Sequence, residues 1–202
     1  MNMKRIALVL AIIATQFMCG WAQTARQVLD KCAATVSSKD GVQAKFSMQS
    51  AQYGSTSGTI AVKGRMFHAS TPVSSMWFDG KTLWTYMSKN DEVNVTTPTE
   101  SQLQALNPYN FINLYKQGFK YTMTKSSTAF NVHLTATDAK RKIRELFIVV
   151  DQKSYQPTEV KMLQNQKWTT FTISDLKAQK LSDTMFRFNS KDFPSAEVID
   201  LR

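Results

Sequence analysis

Residues 77–86 read WFDGKTLWTY. With Asp79-Gly80 as a two-residue hairpin turn, Trp77, Thr82, Trp84 and Tyr86 fall on one face, while Met76, Phe78, Lys81 and Leu83 fall on the other. Both faces are apolar. An antiparallel sheet with one wet side alternates apolar and polar residues, so a strand pair that is greasy on both sides must carry something on each of them.

Working outward, short alternating runs rich in Val, Ile, Thr, Phe and Tyr predict strands at 42–52, 57–63, 65–70, 74–78, 81–87, 92–96, 118–125, 129–137, 143–151, 157–164, 168–178 and 185–189. Turn residues separate them, among them Gly54-Ser55, Gly64, Pro72, Asn90-Asp91, Gln156-Pro157 and Asn165-Gln166. About a dozen consecutive short strands make an antiparallel meander, which at that size must curl to limit its exposed edges. No repeat or linker argues for a second domain.

Two helical segments accompany the strands. From Thr24, Ala25, Val28, Leu29, Cys32, Ala33 and Val36 recur at helical spacing behind a Thr24/Gln27 capping box, which predicts an amphipathic helix. Between Thr97 and Gly118, a Thr97/Glu100 box with Pro98 at the first helical position predicts a helix to Leu106. A second helix follows from Tyr109 to Lys116. The apolar residues of this pair are too many for a solvated loop, and the expectation is that it folds back over the curved sheet. The 74–87 hairpin is then expected to rest one face on a helix and the other on packed core.

The first 22 residues combine Lys4 and Arg5, the apolar run Ile6–Ala14 and the small-x-small sequence Gly20-Trp21-Ala22. This is the pattern of a secretory signal peptide cleaved after Ala22, with an apolar run too short to anchor in a bilayer. The alternative, a lipoprotein signal cut before Cys19, wants a small residue ahead of the cysteine, where this chain has Phe17 and Met18. Cleavage removes Cys19 and leaves Cys32 alone, so stability must come from a core. Of the net charge of +10, two units leave with Lys4 and Arg5, giving a mature chain of about +8. Its longest cationic run is Lys140-Arg141-Lys142. That argues against nucleic acid and for anionic headgroups or an acidic partner, or simply for solubility.

Catalytic patterns are missing. His68 and His133 each sit alone in a predicted strand, and there is no phosphate-binding glycine loop, no GxSxG elbow and no zinc-spaced cysteine pair. Cys32 lies on the apolar helix face, where it reads as a small hydrophobe. No catalytic residue, metal ligand or cofactor is expected. The surplus is in soft side chains: aromatics are 11% of the chain, and Met48, Met66, Met76, Met87, Met123, Met162 and Met185 survive signal cleavage. They suit either an ordinary core or a cavity that adapts to acyl chains.

The runs SGTIAVKGRMFH (57–68), WFDGKTLWTYMSKNDEVNV (77–95) and LNPYNFINLYKQGFKY (106–121) together resemble the LolA-type periplasmic carriers of outer-membrane lipoproteins, in particular a Bacteroidetes-like branch. The resemblance spans most of the mature chain, with DGKTLW its most specific piece. It implies a mainly β fold with α: an unclosed antiparallel β-barrel of 11–12 strands, covered by an N-terminal helix and a helical lid, in one carrier domain over 23–202. It also implies a periplasmic, monomeric, non-enzymatic chaperone for triacylated lipoproteins. Such a carrier receives its cargo from an inner-membrane ABC-type releasing complex and gives it to an outer-membrane acceptor. By position, Ile60, Val62, Phe67, Trp77, Phe78, Leu83 and Trp84 become the lipid-binding cavity, though alternation lets only about half of them face inward. Leu103, Leu106, Phe111 and Ile112 become the lid. Arg65 becomes the candidate lid latch, shifted from the family's arginine. Two other readings stay open: a carrier or sensor of other lipids on the same fold, and an interaction module whose concavity is filled by its own side chains.

Overall fold

The computed structural model describes residues 23–100, 102–103 and 114–202. Helix α1 (Ala25–Val36) starts at the expected capping box. Thr24 Oγ1 accepts from the Gln27 N–H and Gln27 Oε1 accepts from the Thr24 N–H. The helix sends Val28, Leu29, Cys32 and Val36 into the core.

Twelve strands form one sheet: β1 (Val42–Ser50), β2 (Gly54–Lys63), β3 (Met66–Ser70), β4 (Ser74–Phe78), β5 (Leu83–Met87), β6 (Glu92–Thr96), β7 (Phe119–Lys125), β8 (Ala129–Ala136), β9 (Ile143–Asp151), β10 (Pro157–Gln164), β11 (Lys167–Ala178) and β12 (Glu197–Asp200). Their order is β12-β6-β5-β4-β3-β2-β1-β11-β10-β9-β8-β7. The sheet is an unclosed half-barrel with β12 and β7 as its edges. Every ladder is antiparallel except β12 on β6, which is parallel. Strands β2 and β3 approach tightly at Gly58. A Cβ there would come within 1.9 Å of the Ser70 carbonyl oxygen, so only glycine lets the two backbones pass.

Eleven of the twelve expected strands are present, with ends within about three residues of the reading. The exception is 185–189. The Met185-Phe186-Arg187-Phe188 alternation imitates a strand, but Ser182 accepts from the Thr184 N–H and starts a 3-10 turn over Asp183–Phe186. The twelfth strand instead comes from Glu197–Asp200. The 74–87 hairpin also differs in register. The turn centres on Gly80-Lys81, with the Asp79 carboxylate accepting from the Lys81 and Thr82 N–H groups at 3.0 and 2.8 Å. Trp77 therefore faces Trp84, and Phe78 faces Leu83. A two-residue slip in pairing leaves every side chain on its expected face, because the strand period is two.

What covers those faces is the main correction to the sequence reading. Phe78 and Leu83 join the concave core cluster to which α1 also contributes. Trp77 and Trp84 lie on the convex side, covered by the C-terminal arm, residues 179–202, rather than by a helix. Trp77 is stacked on His68 (5.1 Å between ring centroids) and meets Phe188 and Phe193 edge-on, both at 5.5 Å. Phe193 also packs on Tyr86 at 4.6 Å. Further along the arm, Leu181 and fully buried Phe186 close over Ala61. Lys63 Nζ donates to the Leu181 carbonyl and the Asp183 carboxylate, while Arg187 Nε pairs with Asp79 Oδ2 at 3.4 Å. No described helix is long and apolar enough to cross a membrane.

Phe186 fills the arm's anchor site, so Phe186→Ala is expected to cost about 3–5 kcal/mol in urea unfolding. A loss under about 1 kcal/mol would mean that the arm does not support the sheet. Burial also holds His68 below its ordinary value of 6.5. The unfolded chain then takes up a proton that the folded chain resists, so this contribution is intact above 6.5 and is lost as the pH falls below it. The urea midpoint should drop further between about pH 7.5 and about pH 5.5 in the parent protein than in His68→Gln.

Candidate functional site

The concave face is one continuous apolar surface contributed by both halves of the sheet. From the first half come Val42, Ala44, Ile60, Val62, Phe67, Ala69, Phe78 and Leu83, and from the second Val132, Leu134, Leu146, Ile148, Val160, Met162, Phe171 and Ile173. Register pairing puts them on one side: Val62 opposite Phe67, Phe67 opposite Phe78, Phe78 opposite Leu83, and Val132 opposite Ile148. One helix cannot cover all of it. On β1 the concave positions pass from buried Val42 and Ala44 to half-buried Phe46 and Met48. The same progression runs from Phe78 to Met76 on β4, and from Leu83 to exposed Met87 on β5. Along the free edge strand β7, Tyr121 and Met123 are also half-buried against the core. A sheltered apolar floor with a methionine-rich, partly open margin is the arrangement that can receive a flexible hydrocarbon chain.

Of the seven residues expected in the cavity, Ile60, Val62, Phe67, Phe78 and Leu83 lie together in this concave cluster. Trp77 and Trp84 do not. The His68–Trp77–Trp84 pairing turns them to the convex face under the arm, so they back the site rather than line it. The concave residues of β8–β11 had no place in the expected cavity. Their signal was in the sequence as strict alternation, for example Phe130, Val132 and Leu134 in AFNVHLTA, and nothing local said that this face would close on the β1–β5 half.

Among the residues expected to form a lid, Leu103 is buried in the core, whereas Leu106, Phe111 and Ile112 lie outside the described residues. The start of this helical segment differs from the expected capping box. Thr99 is the cap: its N–H and hydroxyl donate to Gln102 Oε1 at 2.8 and 2.9 Å, and the Gln102 and Leu103 N–H groups donate back to the Thr99 carbonyl. That leaves Glu100 free to pair with Arg65, which sits exposed in the β2–β3 turn. At the segment's other end Tyr115 is buried, and its hydroxyl donates to Asp30 of α1 at 2.6 Å. Burial, then the bond to Asp30, raises the Tyr115 phenol above its usual range, so it stays a neutral donor. Tyr121 donates to the Tyr115 carbonyl. The two ends are thus held unequally, by an exposed ion pair at Glu100 and by buried hydrogen bonds at Tyr115.

Groups that could do covalent chemistry are dispersed. Burial pushes the Cys32 thiol up to about 12, which leaves it protonated and inert. His68 is under the arm, and His133 pairs with Glu145 at 2.9 Å on the convex face, stacked on Phe147. Among the described residues no cluster of His, Cys, Asp and Glu could hold a metal ion.

The protein-family model described as outer membrane lipoprotein carrier protein LolA matches residues 15–166. No curated protein matches the chain. Among solved structures, an uncharacterized conserved protein from Thermus thermophilus superposes with a TM-score of 0.59 at 10% identity, covering 88% of this chain and 99% of that one. This likeness concerns the fold. A LolA superfamily protein from Nitrosomonas europaea gives 0.45 at 13% identity, with 83% and 99% coverage. The protein LprF from Mycobacterium bovis gives 0.46 at 9%, with 79% and 96%.

The inert state of Cys32 is testable: a maleimide or iodoacetamide reagent at about pH 8 should leave the folded protein unlabelled and label one thiol after denaturation. Rapid labelling of the native protein would show that α1 lifts off the sheet.

Proposed function

The chain belongs to the family of outer membrane lipoprotein carrier protein LolA, and from that premise we propose that it is a periplasmic carrier whose concave face holds the acyl chains of triacylated lipoproteins between the inner and outer membranes. The observation that carries this reading is the apolar concave surface of an unclosed sheet, sheltered by α1 at one end and grading into half-buried Phe46, Met48 and Met76 at the other. Exposed acyl chains cost about 0.8 kcal/mol per CH₂ in water, so a lipoprotein crosses an aqueous space only inside an apolar container.

In this reading the first 22 residues are the export signal, and Gln23 to Arg202 form the mature single-domain carrier. Ile60, Val62, Phe67, Phe78 and Leu83 form the floor. Leu103, with Leu106, Phe111 and Ile112, forms the lid. Arg65 is the latch, through Glu100: an ion pair in water is weak enough to break when cargo enters. The Tyr115–Asp30 bond is the fixed end on which the lid turns. The carrier loads from an ABC-type releasing complex, delivers to an outer-membrane acceptor, works as a monomer and performs no catalysis. Binding and release are exchanges between apolar surfaces, and direction comes from the relative affinities of donor and acceptor.

Native mass spectrometry of the delipidated protein with a triacylated cysteine lipopeptide is expected to give a one-to-one complex, in preference to a free fatty acid. Met48→Asp should abolish uptake, because it places a charge among the acyl chains, while Thr170→Asp on the opposite face of the sheet should leave uptake intact. Uptake of fatty acid alone would replace lipoprotein carriage with the carriage of other lipids. Uptake of neither ligand would mean a concavity filled by its own side chains.

A further inference from the structure

The excess of basic residues has no part in the carrier reading so far, yet two lysines converge on aromatic rings beside the concave face. Tyr155 ends the β9–β10 turn in the left-handed region (φ 56°) and lies against α1, its hydroxyl donating to Gln23 Oε1 at 3.1 Å. Lys31 Nζ stands 4.6 Å from the centre of the Tyr155 ring and donates to its hydroxyl at 3.4 Å. Tyr155 stacks on Phe130 (5.9 Å), and Lys125, the last residue of the free edge strand, stands 5.7 Å over the Phe130 ring. Lys153 lies exposed in the same turn.

The nearby carboxylates are already engaged. Asp151 accepts from the Lys153 and Ser154 N–H groups and the Ser154 hydroxyl, and Asp30 takes the Tyr115 phenol and faces Arg26. Among the described residues no carboxylate oxygen lies within ion-pair distance of Lys31, Lys125 or Lys153. Other surface lysines differ: Lys45 is paired with Asp175, and Lys63 with Asp183.

We infer that Lys31 and Lys125, set over the Tyr155 and Phe130 rings, form with exposed Lys153 of the β9–β10 turn a seat for the phosphate headgroups of an anionic bilayer. The chemistry favours a bilayer over an acidic protein. All three cations are flexible, strongly hydrated ammonium groups, which suit a fluid layer of phosphates; a fixed carboxylate is better matched by the planar fork of arginine. Lys31 stands over a tyrosine with an apolar body and a polar tip, the side chain that settles at membrane interfaces. The rings below Lys31 and Lys125 belong to the concave apolar core or pack against it, so a bilayer on this seat brings lipid to the margin of the site. The inference goes beyond the carrier reading and rests on it only in supposing that cargo moves at a membrane.

The test uses the mature protein without cargo, so it can fail or succeed independently of lipopeptide uptake. In vesicle flotation at low salt, binding to phosphatidylcholine vesicles containing phosphatidylglycerol is expected, with none to phosphatidylcholine alone and loss of binding as salt is raised. Lys31→Gln and Lys125→Gln should each weaken partitioning about fivefold, and the double variant by about the product. Lys161→Gln, which removes a similar cation over the Trp168 ring (4.6 Å) on the convex face, should change it less than about twofold. The inference is overturned if the parent protein ignores anionic vesicles, if all three single variants lose binding equally, or if polyglutamate binds in a Lys31- and Lys125-dependent manner while vesicles do not. The last result would make the seat a docking point for an acidic protein.

Discussion

The constraint on which the structure depends is an apolar sheet face larger than the described helix that packs into it. Twelve strands cannot remain flat, because strand twist accumulates and open sheets of this size curl or split. Curling concentrates the apolar side chains of both halves on one concave surface, and α1 buries its Val28-Leu29-Cys32-Val36 stripe there. The remainder of the concavity, around Phe46, Met48 and Met76, is only half covered. In an ordinary core such a deficit would be a defect. In the proposed carrier reading it is the binding capacity, and the same hydrophobic term that holds α1 in place would favour an acyl chain.

Closing the sheet into a full barrel would remove both edges and also the opening. This chain keeps the opening and treats its two edges differently. On one side β12 lies parallel to β6 and continues the C-terminal arm, which is pinned by Phe186, the Lys63–Asp183 pair and the Arg187–Asp79 pair. On the other side β7 has no neighbour beyond β8 among the described residues, and Phe119, Tyr121 and Met123 alternate along it with exposed Lys120, Thr122 and Thr124. Lysines at such an edge discourage pairing with another chain, and at this particular edge Lys125 also faces outward beside the concavity. Solubility and docking are thus compatible uses of the same charges.

The convex face shows how the arm changes the chemistry of the sheet. In the β3–β6 region it is built of His68, Trp77, Trp84, Tyr86, Val93 and Val95, and the arm shields it with Phe186, Phe188 and Phe193. Over β8–β11 no described element lies on it, and its apolar residues are diluted by Thr, Asn, Lys and Glu, with His133, Phe147 and Trp168 protecting one another in a cross-strand ladder. The apolar surplus of the hairpin at 77–86 is therefore a local demand met by a segment about a hundred residues further along the chain.

Local physics determined much of this from the sequence alone. The period-two alternation set eleven strands, the Thr24/Gln27 box set the start of α1, and the two-sided hairpin required cover on both faces. Those features depend on neighbours a few residues apart, so they are written in the order of the residues. The family resemblance followed from the runs at 57–68, 77–95 and 106–121, and five of the seven positions it suggested, Ile60, Val62, Phe67, Phe78 and Leu83, lie in the concave cluster. Only the tertiary structure decided which partner meets each demand: the arm rather than a helix over Trp77 and Trp84, the concave residues of β8–β11 opposite Phe67 and Phe78, and Lys31 beside Lys125. Alternation specifies that two faces exist and which residues share one. It carries no information about what will cover them, because the covering group arrives through long-range packing, where the whole curved surface is minimised at once.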